Sequence, residues 1–93
     1  TVLSKGERDA GTIMLVLVEN GENARAYERM PGLDGTRAWH CTRRQEPGAD
    51  FSALIDSRLA FSDYIEKRGF QDPDLWIVEL DVAQPERFIG LGV

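Results

Sequence analysis

The sequence predicts an α+β domain in which a mostly antiparallel sheet of four to five strands carries one long amphipathic helix on one face. Three observations predict this class: short apolar segments between turn residues in the first half, one helical pattern after residue 50, and one further strand pattern after that helix. The predicted order is β-β-β-β-α-β. Because 93 residues supply one hydrophobic core, residues 1–93 are expected to form a single domain.

The first half of the chain contains segments typical of strands. Residues 1–4 are short and β-prone, and residues 12–18 (TIMLVLV) are continuously apolar, the pattern of a strand covered on both faces at the centre of a sheet. The stretch between them, KGERDAGT, is predicted to be a loop. Asn20 and Gly21 tolerate the positive φ of a primed hairpin turn, so a hairpin to the strand at 24–30 is expected.

The third and fourth strands follow an alternating pattern. Residues 24–30 alternate, so that one face of this strand is expected to be wet. Ala24, Ala26, Glu28 and Met30 point one way, and Arg25, Tyr27 and Arg29 point the other. The segment PGLDG, residues 31–35, supplies the proline and glycines of a second turn. A fourth strand is predicted over residues 36–43.

One amphipathic helix is predicted from Phe51 to about Arg68. Asp50 is a good N-cap after the breaker Pro47-Gly48, and Gly69 is a natural C′ residue. One arc of the helical wheel is apolar and the opposite arc is charged. The apolar arc contains Phe51, Leu54, Ile55, Leu59, Phe61 and Ile65, and the opposite arc contains Asp56, Asp63, Glu66 and Lys67.

The last strand begins after Pro73, which cannot continue a helix and pushes Asp72 into an extended conformation. Residues 75–82 then alternate, with Trp76 on the apolar side and Glu79 on the mixed side. The tail from residue 87 to residue 91 is apolar enough for a short strand or a docked extension.

Composition excludes several classes of function. Sixteen acidic against eleven basic residues give a net charge of −5, which repels a phosphate polymer, so no nucleic-acid partner is expected. The longest apolar run, residues 13–18, is far shorter than the roughly 20 residues that span a bilayer, so no membrane partner is expected. Cys41 is the only cysteine, which excludes an intrachain disulfide and favours a cytoplasmic location.

Three segments resemble a known family. Residues 3–18 (LSKGERDAGTIMLVLV), 31–41 (PGLDGTRAWHC) and above all 72–81 (DPDLWIVELD) are similar to the domain of unknown function 1491 family, which is found chiefly in alphaproteobacteria. The most specific element is an Asp-Pro-Asp-Leu-Trp stretch followed by a Val-Glu pair. It is matched by Asp72, Pro73, Asp74, Leu75, Trp76, Val78 and Glu79.

The resemblance runs nearly from end to end and implies a small uncharacterised bacterial protein. It implies no activity, substrate, cofactor or catalytic residue. Family members usually carry a further helical segment ahead of the first strand, which this chain is expected to lack.

Four charged residues define one candidate site. Arg58 falls near the middle of the apolar arc of the helix, where a charge needs a partner, and Glu79 is the expected partner. With Asp72 and Asp74 they form a candidate binding site, while the simpler interpretation is a structural ion pair that seats the helix on the sheet. Asp72 and Asp74 share a strand face that Glu79 does not, so no metal site is predicted.

The sequence favours a non-enzymatic function. No nucleophile–base pair or phosphate-binding loop is present, so neither a catalytic residue nor a cofactor is predicted. The favoured function is a protein-interaction module, as a homodimer or with another protein, that binds through a sheet edge or an exposed aromatic face. Trp39 and Trp76 are the candidate interaction aromatics, although core packing is the more frequent role of such residues. The alternative is a small ligand-binding protein or enzyme centred on the four charged residues.

Overall fold

Five strands, one long helix and a short 3₁₀ turn make up the computed structural model, which describes residues 1–7, 12–31 and 37–89. The strands are β1 (Val2–Ser4), β2 (Ile13–Glu19), β3 (Glu22–Pro31), β4 (Arg37–Arg44) and β5 (Trp76–Asp81). The helix α1 spans Phe51–Gln71, and the 3₁₀ turn η1 spans Pro85–Ile89. The α+β class and the element order are therefore confirmed. Parts of the predicted loop and of the second turn, residues 8–11 and 32–35, lie outside the described residues.

The five strands form one sheet in the order β1-β5-β2-β3-β4. The pairs β1–β5, β2–β3 and β3–β4 are antiparallel, whereas β2 and β5 are parallel. The parallel pair arises because α1 carries the chain from β4 back across the sheet before β5 begins, and parallel neighbours require such a crossover. The sheet is thus mixed but mostly antiparallel, as predicted.

The turn between β2 and β3 is the predicted primed hairpin. Asn20 and Gly21 have φ values of 54° and 75°, the left-handed region that this turn requires. The Asp81 carboxylate at the end of β5 accepts hydrogen bonds from the backbone nitrogens of both residues, at 2.7 and 3.2 Å. The last acid of the 72–81 segment therefore fixes the hairpin against the neighbouring strand.

The core lies between α1 and one face of the sheet. Its buried members come from three strands, the helix and the residue that precedes β5: Met14, Val16, Val18, Ala26, Phe61, Leu75 and Ile77. Burial of each large apolar side chain contributes about 1.5–3 kcal/mol to the free energy of unfolding. This cluster confirms that the helix packs on one face of the sheet.

The helix begins as predicted but ends later. The Asp50 side chain accepts a hydrogen bond from the backbone nitrogen of Ala53 at 2.8 Å, so Asp50 is the N-cap. At the other end α1 continues to Gln71, and Asp72 is the C-cap. The prediction that Gly69 follows the helix is therefore wrong. Gly69 lies inside α1, where a Cβ atom would already be 3.4 Å from Cδ1 of Ile77 on the sheet.

Half of the predicted apolar arc does not face the sheet. Phe61 is buried, and Leu54 and Ile65 are half-buried. Three other members of the arc are exposed, with exposed fractions of 75% for Phe51, 39% for Ile55 and 59% for Leu59. The expectation that all six residues pack inward was wrong, because the arc is wider than the contact between a helix and a sheet.

The prediction of a wet face on β3 was also wrong for the first half of the strand. Ala26 is covered by α1, while Arg25 and Tyr27 on the other face are 3% and 6% exposed. The 3₁₀ turn η1 covers them, with Pro85 fully buried. Residues 85–89 thus form a docked extension and not a strand, which resolves the two alternatives for this part of the tail.

Within the described ranges, no helix combines the length and the apolar character that crossing a bilayer requires.

Candidate functional site

A groove runs along α1 on the side of the edge strand β1. Its wider part has a volume of about 590 Å³ and lies between β1 and the second half of the helix. The lining residues are Leu3, Ser4, Ser62, Ile65, Glu66, Gly69, Phe70 and Ile77. A narrower part of about 250 Å³ continues the groove toward the start of the helix and shares Leu3, Ser62 and Ile65 with it.

Apolar side chains are exposed at this groove. Leu3 has an exposed fraction of 46% and Phe70 one of 92%, so neither is covered by the fold. Ile77 forms part of the buried floor, and Gly69 keeps the helix wall free of a side chain. The wider part of the groove is therefore apolar at its floor and accessible from solvent.

Among the described strands, only β5 pairs with β1, so the outer edge of β1 beside this groove has no described partner. The nitrogen of Thr1 donates to the Glu79 carbonyl at 2.9 Å, and the Glu79 nitrogen donates to the Thr1 carbonyl at 2.7 Å. In an antiparallel pair, the residue after such a doubly bonded pair turns its backbone groups the other way. Val2 therefore directs its N–H and C=O outward, while Leu3 directs its side chain into the groove.

The narrow part of the groove contains two of the four predicted site residues. Arg58 is exposed on α1 and Glu79 is half-buried on β5, and both line this part together with Asp81. Among the described residues, the ion pairs are those of Arg25 with Glu19 and Glu86 and that of Arg68 with Glu28. Arg58 and Glu79 thus share a cleft without being held in an ion pair.

The other two predicted site residues lie at the opposite end of the helix. Asp72 caps α1, and fourteen positions separate it from Arg58, or about 20 Å along the helix axis. Asp74 presents its carbonyl to the backbone nitrogen of Glu7 at 3.1 Å. Neither aspartate lines the cleft of Arg58 and Glu79, and within the described ranges no three His, Cys, Asp or Glu side chains are grouped to hold a metal ion.

The two tryptophans lie on the sheet face opposite the helix. Trp76 pairs in register with Ile13, and Trp39 pairs with Arg29. Both rings are half-buried. The Trp76 indole nitrogen donates to the Glu7 carbonyl at 3.0 Å, and the Arg29 guanidinium carbon lies 5.8 Å from the centre of the Trp39 ring. Three strand spacings separate β5 from β4, about 14 Å, so the two rings do not form one platform.

The ion pair that seats the helix on the sheet involves Arg68. Its guanidinium donates to the Glu28 carboxylate on β3, and this hydrogen bond raises the pKa of Arg68 above its ordinary value. Both side chains are largely covered, with exposed fractions of 24% and 17%. The sequence predicted such an ion pair between Arg58 and Glu79; the pair of Arg68 with Glu28 is a different one, ten residues later on the helix and on a different strand.

A second buried cluster was not predicted from the sequence. Arg25 donates to the carboxylates of Glu86 and Glu19 and to the Asn23 carbonyl. The bond from Arg25 holds the pKa of Glu86 below its ordinary value, and burial raises the pKa of Tyr27, whose hydroxyl lies 3.3 Å from the same carboxylate. The only sequence signal was an arginine alternating with small alanines. The cluster fastens η1 to the sheet.

Two lining residues of the groove, Gly69 and Phe70, were also missed as site residues. The predicted helix ended at about Arg68, so Phe70 was not assigned to any face of the helix. Pro73 carried the signal that was needed, because a helix often continues to the residue before a proline and Asp72 is that residue.

Fold and groove together define a class: a small α+β domain in which, over the described ranges, the outer edge of β1 has no strand partner and lies beside the long helix. Residues 1–90 match the family described as "Protein of unknown function (DUF1491)". The chain belongs to this DUF1491 family, which confirms the resemblance seen in its sequence.

Two solved structures of family members are similar to this chain. One is the crystal structure at 1.87 Å resolution of a DUF1491 family protein from Caulobacter crescentus CB15, with 28% sequence identity and a TM-score of 0.60. That match covers 85% of this chain and 65% of the Caulobacter chain, so this chain spans about two thirds of its length. The other is the NMR structure of a DUF1491 family protein from the same organism, with 25% identity and a TM-score of 0.64 over 97% of this chain and 74% of that one. Among curated proteins, none matches this chain.

Proposed function

We propose that this protein is a non-enzymatic interaction module that binds an extended segment of a partner protein along the outer edge of β1. The segment adds a strand to the sheet, and its inward side chains enter the groove between β1 and α1. The observation that carries the proposal is the coincidence of an unpaired strand edge with exposed Leu3 and Phe70 in the adjacent groove.

The edge of β1 carries two of the features that protect exposed sheet edges and lacks two others. Natural proteins keep an edge strand short, bulge it, cover it with a loop, or place charged residues and prolines on it. β1 is short and has a register shift, but its residues Val2, Leu3 and Ser4 include neither a charge nor a proline. When an extended peptide joins such an edge, main-chain hydrogen bonds supply affinity and alternate side chains supply specificity.

The dimensions of the groove fit a short extended segment. From Arg58 to Phe70 the helix wall is about 18 Å long, because each helical residue rises about 1.5 Å. An extended chain rises about 3.3 Å per residue, so five or six residues cover this length. Two or three of their side chains point into the groove.

A second candidate is a small-molecule site in the narrow part of the groove. An exposed Arg58 beside Glu79 favours it, since a guanidinium that forms no ion pair with the described residues can bind an anionic ligand. The volume of about 250 Å³ argues against it, because ligand pockets usually measure roughly 300–1,000 Å³. Asp72 and Asp74 lie outside this cleft, so the ligand site would be smaller than the sequence suggested.

A second copy of this chain is the other protein partner that an edge strand can bind, so the proposal includes a homodimer.

A net charge of −5 supports a protein partner over a nucleic acid. We place the module in the cytoplasm because its single cysteine is exposed and free. No membrane partner is proposed.

Selection from a displayed library of random eight-residue peptides tests the proposal. Peptides selected by the wild-type protein should bind with micromolar affinity and shift the NMR signals of β1. The variant Ser62→Trp fills the groove from an exposed helical position, and Val2→Pro removes the outward N–H without breaking the pairing with β5. Both should weaken binding at least tenfold.

Asp63→Trp is the matched control, because it places the same bulky side chain on the neighbouring exposed position outside the groove. It should bind like the wild type. Failure to select any peptide, or peptides that bind Ser62→Trp as tightly as the wild type, would overturn the proposal. A dimer that Val2→Pro converts to monomers would assign the edge to a second copy. A small molecule that stabilises the wild type but not Arg58→Ala would favour the second candidate.

A further inference from the structure

We infer that the bound segment carries a basic side chain, with an apolar side chain two residues away on the same face. This inference rests on the proposed function, since it concerns the occupant of the same groove. The juxtaposition that carries it is an acidic narrow end beside an apolar wide end.

The groove is acidic. Three carboxylates, from Glu66, Glu79 and Asp81, line it against the one guanidinium of Arg58. The whole chain has a net charge of −5, so the field around the groove does not reverse this local excess. An acidic segment would be repelled on approach, whereas a basic one would be attracted.

The three carboxylates differ in what they already bind. Both carboxylate oxygens of Asp81 accept hydrogen bonds from backbone N–H groups of the hairpin turn, so this carboxylate already has a structural role. None of the described side chains donates a hydrogen bond to Glu66 or forms an ion pair with it, and the same holds for Glu79. These two carboxylates are therefore available to a partner.

Of the two available carboxylates, Glu79 should bind a basic side chain more tightly. It is half-buried on β5, while Glu66 is exposed on the helix. A charge-assisted hydrogen bond is stronger where water is partly excluded, and an arriving strand would exclude more of it. Glu79 lies on β5, the neighbour of β1, and its backbone pairs with that of Thr1. A side chain from a strand added to the outer edge of β1 therefore reaches Glu79 by passing over β1.

The neighbouring part of the groove determines the second feature of the segment. Beyond Ser62 the lining changes to Leu3, Ile65, Ile77 and Phe70. Side chains two residues apart on a strand point to the same side, about 6.6 Å from each other. A basic residue over Glu79 thus places the next inward side chain against an apolar surface.

Three fluorescent eight-residue peptides test this inference. All alternate valine with threonine, and one central inward position is lysine, glutamine or glutamate. Measured by anisotropy at low salt, the lysine peptide should bind about tenfold more tightly than the glutamate peptide, with the glutamine peptide between them. In 0.5 M salt the difference should shrink, because screening weakens exposed charge pairs.

The variant Glu79→Gln should reduce the lysine-to-glutamate preference to about twofold. Glu46→Gln is the control, since Glu46 is exposed and lies in the loop before the helix, outside the acidic narrow end. It should keep the tenfold preference.

The outcomes separate this inference from the proposed function. Equal binding of the three peptides that is lost in Ser62→Trp would keep the groove and overturn the charge preference. A preference that Glu79→Gln does not change would also overturn the inference. Absence of binding by all three peptides, together with failure of the library selection, would overturn the proposed function itself.

Discussion

Arg25 shows how a single residue can be misjudged from sequence. Its alternation with Ala24 and Ala26 is that of a half-exposed strand, yet its side chain is 3% exposed. The burial depends on Glu86, which lies 61 residues later in the chain and reaches back over β3. A local pattern contains no information about such a distant partner, so the cluster could not be predicted.

The acids of the 72–81 segment were easier to interpret. Asp72 caps the helix and Asp81 fixes a turn, which are the roles that short polar side chains take at the ends of elements. Their sequence positions, beside Pro73 and at the end of a strand, predicted a junction. The sequence could not show that Arg58 and Glu79 do not form an ion pair, because the distance between them depends on how the helix is rotated about its axis.

Glu86→Gln should lower stability at neutral pH and flatten its dependence on acid. The folded-state pKa of Glu86 lies below the ordinary value of 4.5, because Arg25 binds the ionised form. Its contribution is therefore present above pH 4.5 and lost as pH falls through the folded-state pKa. We expect a loss of about 2 kcal/mol at pH 7 in urea unfolding, with the two proteins converging toward pH 3.

Glu46→Gln is a suitable control for this titration, because Glu46 is exposed in the loop before the helix. It should leave the unfolding midpoint within about 0.5 kcal/mol of the wild type at every pH. A constant difference between Glu86→Gln and the wild type from pH 7 to pH 3 would contradict the assigned role of the carboxylate.

At the scale of elements, the start of α1 was predicted correctly, its end was placed too early although Pro73 marks it, and its orientation could not be predicted. Asp50 and Pro73 are strong signals because capping and ring geometry act locally. The six predicted apolar residues span about 160° of the helical wheel at 100° per residue. The sheet covers only the part around Phe61 and Ile65, and the sequence does not state which part of a wide arc will be covered.

Two alanine substitutions on α1 should therefore differ widely. Phe61→Ala should lower the free energy of unfolding by about 3–4 kcal/mol, because it empties a site in the core. Leu59→Ala should change it by no more than about 0.5 kcal/mol, because Leu59 is 59% exposed. Chemical unfolding of both variants measures this. Equal losses would mean that the exposed side of α1 is covered in solution.

At the scale of the whole molecule, the number and order of the strands and the helix could be predicted from the sequence, but which strands are neighbours in the sheet could not. Turn residues and apolar runs identified all five strands, and the Asn20-Gly21 turn paired β2 with β3. The insertion of β5 between β1 and β2 has no comparable local signal, because it depends on the path of the chain through α1. The groove follows from that insertion, so it could not be predicted either.

Amide hydrogen exchange should follow the order of the strands in the sheet. The amides of Leu15, Val16 and Leu17 on β2 lie between two neighbouring strands and should exchange slowest, at rates set by global unfolding. Those of β1 should exchange fastest, since it is short and has one neighbour among the described strands. A bound peptide should slow exchange at Val2 in particular. Uniform protection across the sheet would contradict this ranking.

The position of β5 also bears on how the molecule forms during synthesis. The hairpins that join β2, β3 and β4 can assemble as soon as those residues leave the ribosome, but β1 has no strand to join until residues 76–81 follow. Strand β1 must therefore wait while more than seventy later residues are translated. Although it is made before β2, β3 and β4, it is secured after them, which leaves it longer within reach of chaperones and proteases.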